Sequence, residues 1–338
     1  MGGIEMRRSK LLLLVLVFSL FCISVNAANQ PIIMKFGHFA ADSHEGTQAS
    51  NIFAQAVEER TNGQIKVQVF PNNALGAPPE VLEQNILGAV DMSAPTQGQL
   101  GVYSQKFFCV MLPFAYENYD HADRVLNSPE FLKWVSPDLD KAGLVFLSNW
   151  EWGFRNLTTS KKPVREPADA KGLKIRTPPE LSTQAALEAI GCVVTSINFN
   201  ELQMALKQGV VDGQENPIGV IYSNKLYETQ KYVTMTGHNY NSMVHVMSKK
   251  VWNKLTAKQK KIIKEESEKA GQWMKDACRS AEATQIKEMQ EKYGVEFIYP
   301  DISKYKALMQ PAYDRMAAQA GAENINYFLK LIDKYSKK

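Results

Sequence analysis

Residues 172–212 read GLKIRTPPELSTQAALEAIGCVVTSINFNELQMALKQGVVD, a strand, a helix, a second strand and a second helix in one stretch. GLKIR alternates as a strand does. Thr177-Pro178-Pro179-Glu180 has the form of a capping box with proline at the first helical position, and the helix it opens is expected to run to a C-cap at Gly191. CVVTSINF is the next strand and NELQMALKQGVVD the next helix. Residues 31–91 follow the same order: IIMKFGHFA, a helix with Asp42 and Glu45 as its capping box, QIKVQVFP, PPEVLEQNILGAVD, and a short strand in DMSAPT. The two second helices end alike, in GAVD (88–91) and GVVD (209–212). Two α/β lobes of similar build are expected, each with strands that feed into helix N-termini.

Long segments tie the halves together. GLVFLSNWEWGFRN (143–156) reads as a strand between them, VDGQENP (211–217) as a tight polar loop, and NYNSMVHVMSK (239–249) as a returning strand. The run from Thr256 to Gly294 supports one helix of up to about 37 residues, on the order of 55 Å long, more than a single lobe needs. The expected architecture is therefore α/β: two lobes joined by a hinge of more than one crossing strand, a ligand cleft between them, and a long helix bracing both.

Arg7, Arg8 and Lys10 precede an apolar run from Leu11 to Val25, and Val25-Asn26-Ala27 offers the small residues a signal peptidase needs. Residues 1–27 are expected to be a signal peptide for the general secretory route, cleaved near Ala27, leaving a periplasmic protein. The chain carries a formal charge of +4, and loss of the leader, with its three basic residues and Glu5, leaves +2. That near-balance gives no ground for nucleic-acid binding. Cys109, Cys192 and Cys278 are widely spaced with no C-x-x-C, the pattern of buried thiols rather than a zinc site or a disulfide framework.

Catalytic motifs are few. The five histidines fall in no short ligand spacing, and no G-x-S-x-G elbow, phosphate-binding loop or G-x-G-x-x-G is present. No catalytic residue, metal ligand or cofactor is expected. The arginines carry more. Arg176 ends GLKIR just ahead of a helix start, where free N–H groups favour an anion; its other reading is a strand-end charge in solvent or paired with Glu180. Arg155 has a similar choice between a rim charge and an anion contact. On an extended strand it lies opposite Trp150 and Trp152 and about 13 Å from Glu151, too far to be neutralised by it. Trp152 reaches the cleft only if the strand bulges near Gly153. Asn216 offers a donor and an acceptor beside the rigid Pro217.

GFRNLTTS, PADAKGLKIRTPPE and ELQMALKQGVVDGQENP together resemble the extracytoplasmic solute-binding proteins of TRAP (tripartite ATP-independent periplasmic) transporters. KFGH, FPNNALG, LPF (112–114) and the long late helix extend the likeness over the mature chain. The resemblance implies two lobes that close over a small organic acid and present it to integral membrane permease subunits. It implies Arg176 as the fork on the ligand carboxylate, Arg155 as a second arginine, Asn216 beside the carboxylate and Phe199 as an aromatic wall. Thr96 falls where first-lobe side chains read the rest of the solute. Sialic-acid-binding relatives carry an acidic residue there, which argues against that ligand. His38, Trp152 and Tyr240 are added by location. The lobes are expected at 28–152 plus about 238–280, and at 153–237 plus about 281–338, in a monomer. A sulfonate also fits an arginine fork. A receptor for an ATP-driven importer or a sensor kinase, and a secreted hydrolase, are the readings left open.

Overall fold

The computed structural model describes residues 30–336; the expected signal peptide lies outside them. β1 (Ile32–Gly37), α1 (Glu45–Arg60), β2 (Ile65–Phe70), α2 (Pro78–Leu87) and the two-residue β3 (Met92–Ser93) form the first half. Helices α3 (Tyr119–Leu126) and α4 (Pro129–Lys141) lead to β4 (Leu144–Thr159). The second half holds β5 (Lys174–Thr177), α5 (Leu181–Ala189), β6 (Val193–Ser196), α6 (Phe199–Lys207) and β7 (Gly213–Asn216). β8 (Tyr232–Ser248), α7 (Ala257–Tyr293), β9 (Glu296–Ile298), α8 (Gln310–Ala320) and α9 (Ala322–Ser336) complete the chain.

One nine-stranded sheet runs in the order β2-β1-β3-β8-β4-β7-β5-β6, with β9 beside β8. β1 is parallel to β2 and β3, and β5 is parallel to β6 and β7. The antiparallel pair β4–β8 joins the two parallel sets. At about 3.3 Å per residue each of these strands is roughly 50 Å long, so the same two strands serve both halves.

Local chemistry differs from the expected pattern at three points. His44, not Asp42, caps α1: its Nδ1 accepts the Gly46 amide at 2.9 Å, while Asp42 accepts from Asn72. The helix after GLKIR starts at Leu181, past both prolines. The Glu180 amide donates to the Pro178 carbonyl at 2.7 Å, and the Glu180 side chain is engaged by Thr96 instead of capping. Residues 213–216 of VDGQENP are a fully buried strand pairing with β4 and β5, not a loop.

The long helix spans Ala257–Tyr293, opened by a Thr256–Gln259 capping box. It packs on α1 and β4, and Arg60 from α1 reaches its Glu265 and Glu266. Phe36, Phe53, Trp150 and Met274 share one core, Phe107, Phe131, Tyr240 and Phe328 another. Cys109, Cys192 and Cys278 are free thiols. No helix among the described residues is long and apolar enough to cross a membrane.

β4 contains the bulge that WEWGFRN hinted at. Glu151 faces Ser242 and Gly153 faces Asn241, so one extra residue, Trp152, is inserted in β4. Gly153 takes φ +105°, a conformation side-chain-bearing residues rarely adopt. The alternation reverses there. Trp150 and Trp152 lie in one core, Phe154 packs against Tyr119 and Tyr240 in the other, and Arg155 comes out on the cleft side.

Candidate ligand-binding cleft

A narrow cleft lies between the two halves. From the first half it is lined by Phe39 after β1, Pro78 and Pro79 at the start of α2, and Thr96 and Gln99 after β3. Arg155 enters from β4, Asn216 from β7, and Arg176, Pro178 to Glu180, Asn198 and Phe199 from the second half. The halves meet across it where Thr96 Oγ1 donates to Glu180 Oε1 at 2.7 Å and where Phe39 faces Phe199 with ring centroids 5.0 Å apart.

The two arginines are held differently. Arg155 is buried and forms a two-pronged ion pair with Glu215: Nε and Nη2 donate to the carboxylate, Nη2 also to the Glu215 carbonyl and Asn216 Oδ1, and Nη1 to Asn241 Oδ1 at 2.9 Å. His238 Nε2 stands 3.3 Å from the same carboxylate. Burial pushes the Glu215 carboxyl up, but the Arg155 charge and the hydrogen bonds outweigh it and hold it below the usual range. Arg176 is 1% exposed, yet its only side-chain hydrogen bond among the described residues runs from Nε to the Ile197 carbonyl at 2.8 Å. Its Nη2 is buried without a partner, and its guanidinium carbon lies 5.8 Å from the Phe199 ring centre. Burial lowers it to about 10, which leaves it charged at neutral pH. A buried charge with an open donor is costly unless something negative completes it.

Arg176, Arg155, Asn216, Phe199 and Thr96 thus meet around one cleft. His38 lines a small adjoining pocket that shares Phe39 and Pro78 with the first. Both of its ring nitrogens are unpartnered, and burial lowers it to about 4, so it is neutral at pH 7. Trp152 stands one layer behind the lining, stacked on Phe39 at 4.7 Å. Tyr240 is not at the cleft surface; its hydroxyl donates to Glu151, which Arg279 of α7 also holds. Phe39, Gln99 and Glu215 have no role in the sequence reading, and Glu180 enters it only as a cap or a partner for Arg176. Glu215 carried a readable signal, an acidic residue inside the same short segment as Asn216.

A cleft between two halves, with an unsatisfied buried guanidinium in its wall, fits a receptor for a small anion. Residues 36–320 match the bacterial extracellular solute-binding protein family 7, and the chain belongs to that family, the periplasmic solute-binding proteins of TRAP transporters. It is a binding protein, not an enzyme. It is 38% identical over 224 residues to protein y4mM of Sinorhizobium fredii, covering 66% of this chain and 41% of that longer one. The C4-dicarboxylate-binding periplasmic protein DctP of Rhodobacter capsulatus is 32% identical over 320 residues, 90% of this chain and 92% of the other. A TRAP periplasmic solute-binding protein of Polaromonas sp. JS666, solved with D-erythronate, superposes with a TM-score of 0.84 at 33% identity, covering 88% of this chain and 98% of that one.

Proposed function

We propose that this protein captures a small organic carboxylate in its cleft and hands it to the membrane subunits of a TRAP transporter. The observation that carries the reading is the buried, unpartnered Nη2 of Arg176 in the cleft wall. In this reading Arg176 forks the carboxylate, with Phe199 packed under its guanidinium. Arg155, fixed by Glu215, keeps one Nη1 hydrogen for the ligand, and Asn216, bonded to Arg155 and Gln214, keeps one amide hydrogen. Thr96 and Gln99 read the rest of the solute from the opposite half, and His38 borders an extension for a longer one. Trp152 acts through Phe39, and Tyr240 through the Glu151–Arg279 brace.

Ligand that bridges both halves gains contacts only when they close, and that difference shifts the equilibrium toward the closed form. β4 and β8 are the strands that would bend, dividing the chain into lobes at 28–152 plus about 238–280 and at 153–237 plus about 281–338. The secreted form acts as a monomer after cleavage near Ala27, which the N-terminal residue of protein from the periplasm checks. The binding reading is tested by titration calorimetry with a panel of carboxylates against wild type and Arg176→Ala. A loss of roughly 30-fold or more is expected, as for truncating one partner of a buried charged pair; equal affinities overturn the clamp.

A further inference from the structure

Arg176 accounts for a carboxylate, but the cleft holds other polar atoms without partners, and they are of the opposite kind. Glu180 is 2% exposed and lines the same wall four residues further along the chain. Its Oε1 accepts the Thr96 hydroxyl, while its Oε2 is buried with no partner. Space is kept around that oxygen: a Cβ at Gly98 would come within 2.7 Å of it. Gln99, another lining residue, has its Oε1 buried and unpartnered. An ionised carboxylate and an amide oxygen only accept hydrogen bonds. Leaving them buried and empty forfeits their hydration with nothing in return, so the ligand that completes this cleft must bring hydrogens to them.

We infer that Glu180, with Gln99, makes this cleft selective for hydroxylated monocarboxylates over dicarboxylates and over acids without hydroxyl groups. The inference rests on the carboxylate reading of Arg176 and adds what lies beyond the carboxylate. A hydroxy acid supplies an anion for Arg176 and O–H donors for Glu180 Oε2 and Gln99 Oε1. A dicarboxylate brings a second set of lone pairs and a second negative charge to the side where Glu180 stands, the like-charge contact by which sites reject wrong ligands. An unsubstituted acid leaves both acceptors empty; sites built to bond a ligand hydroxyl reject analogues lacking it far more strongly than apolar pockets reject a missing methylene. An ammonium group could also donate. Burial, however, pushes the Glu180 carboxyl up from the carboxylate range even with Arg155 and Arg176 nearby and Glu215 opposing them. Burial thus penalises the charged form that an ammonium would need as its counter-charge.

The test is calorimetry on the mature protein with two matched series: D-erythronate, butyrate, succinate and 4-aminobutyrate, and galactonate, hexanoate and adipate. In at least one series the hydroxylated acid is expected to bind 100-fold or more tighter than its counterparts. Glu180→Ala should weaken that acid at least tenfold and leave the unsubstituted acid within threefold. Glu180→Gln, close in shape and still carrying one acceptor oxygen, should fall between, with thermal melts confirming that both variants fold. A dicarboxylate or the amino acid binding tightest, or Glu180→Ala weakening every acid equally, overturns the inference. Arg176→Ala separates the two levels: if it binds the acids as wild type does, the carboxylate reading itself fails, whatever Glu180 does.

Discussion

Arg155 and Arg176 stand in one cleft wall and are equally buried, yet they are built for different tasks. Arg155 spends its donors inside the protein, on Glu215, Asn216 and Asn241, and so ties β4 to β7 and β8. Among the described residues Arg176 is tied down only through Nε, with Nη2 left open. A guanidinium that the fold nearly completes is held by the protein first and has a single hydrogen left for a ligand. One that the fold leaves incomplete is reserved for something from outside. The first and largest test of that contrast is Arg155→Ala, which strands the Glu215 carboxylate at 0% exposure. Breaking a buried pair from one side costs about 3–5 kcal/mol, read as a lower midpoint in denaturant unfolding of the ligand-free protein. Replacing both partners, Arg155→Met with Glu215→Leu, should recover most of the loss. A double variant as unstable as the single one breaks the pairing argument.

The two glutamates sharpen the same contrast through pH. Glu215 is held below its unfolded value near 4.5, so its contribution is present above that pH and is lost as the pH falls through the folded value. Glu180 is raised by burial, so it costs stability above its folded value, and that cost disappears as the pH falls toward 4.5. Glu215→Gln should therefore lower the melting temperature at pH 8, with the loss shrinking below pH 4.5. Glu180→Gln should raise it at pH 8, with the gain shrinking as the pH falls toward 4.5. Each pH unit of displacement corresponds to about 1.4 kcal/mol. Shifts of the same sign for both variants at pH 8 would remove the distinction between a paired and an unpaired carboxyl.

How much of this could be read from the chain depends on whether the cause was local. The strand–helix alternation and the 37-residue helix were legible because periodicity and caps are properties of neighbouring residues. Arg176, Arg155, Asn216, Phe199 and Thr96 were brought to one place by the family resemblance as much as by pattern. The neutralisation of Arg155 was not legible: its partner lies sixty positions away and meets it only through β4–β7 pairing. Glu180 was misplaced for a related reason. TPPE satisfies a local capping pattern, but Thr96 from the other half takes the carboxylate first. Gly153 falls between these cases, since the residue flags a break in alternation but not the direction in which the chain turns.

That glycine yields a smaller prediction. An alanine at φ +105° is strained, and its Cβ would stand 3.2 Å from the Tyr119 hydroxyl. Gly153→Ala should cost about 1–3 kcal/mol and, by relaxing the bulge, shift Arg155 away from Glu215. A variant with unchanged stability and binding would mean that the bulge does not set the Arg155 geometry.

The smallest expected effect is the most discriminating. Arg176→Met keeps an unbranched side chain against Phe199 and removes a desolvated charge, at the cost of one hydrogen bond to the Ile197 carbonyl. A net hydrogen bond is worth about 1 kcal/mol, and relief of an unpaired buried charge offsets it. The ligand-free variant should therefore melt within a few degrees of wild type, while Arg155→Ala, the equally buried neighbour, does not. A loss of several kcal/mol from Arg176→Met would mean that the fold itself depends on this guanidinium, and Arg176 would join Arg155 as a structural residue. Near-neutral stability is the signature of a charge whose missing partner comes and goes.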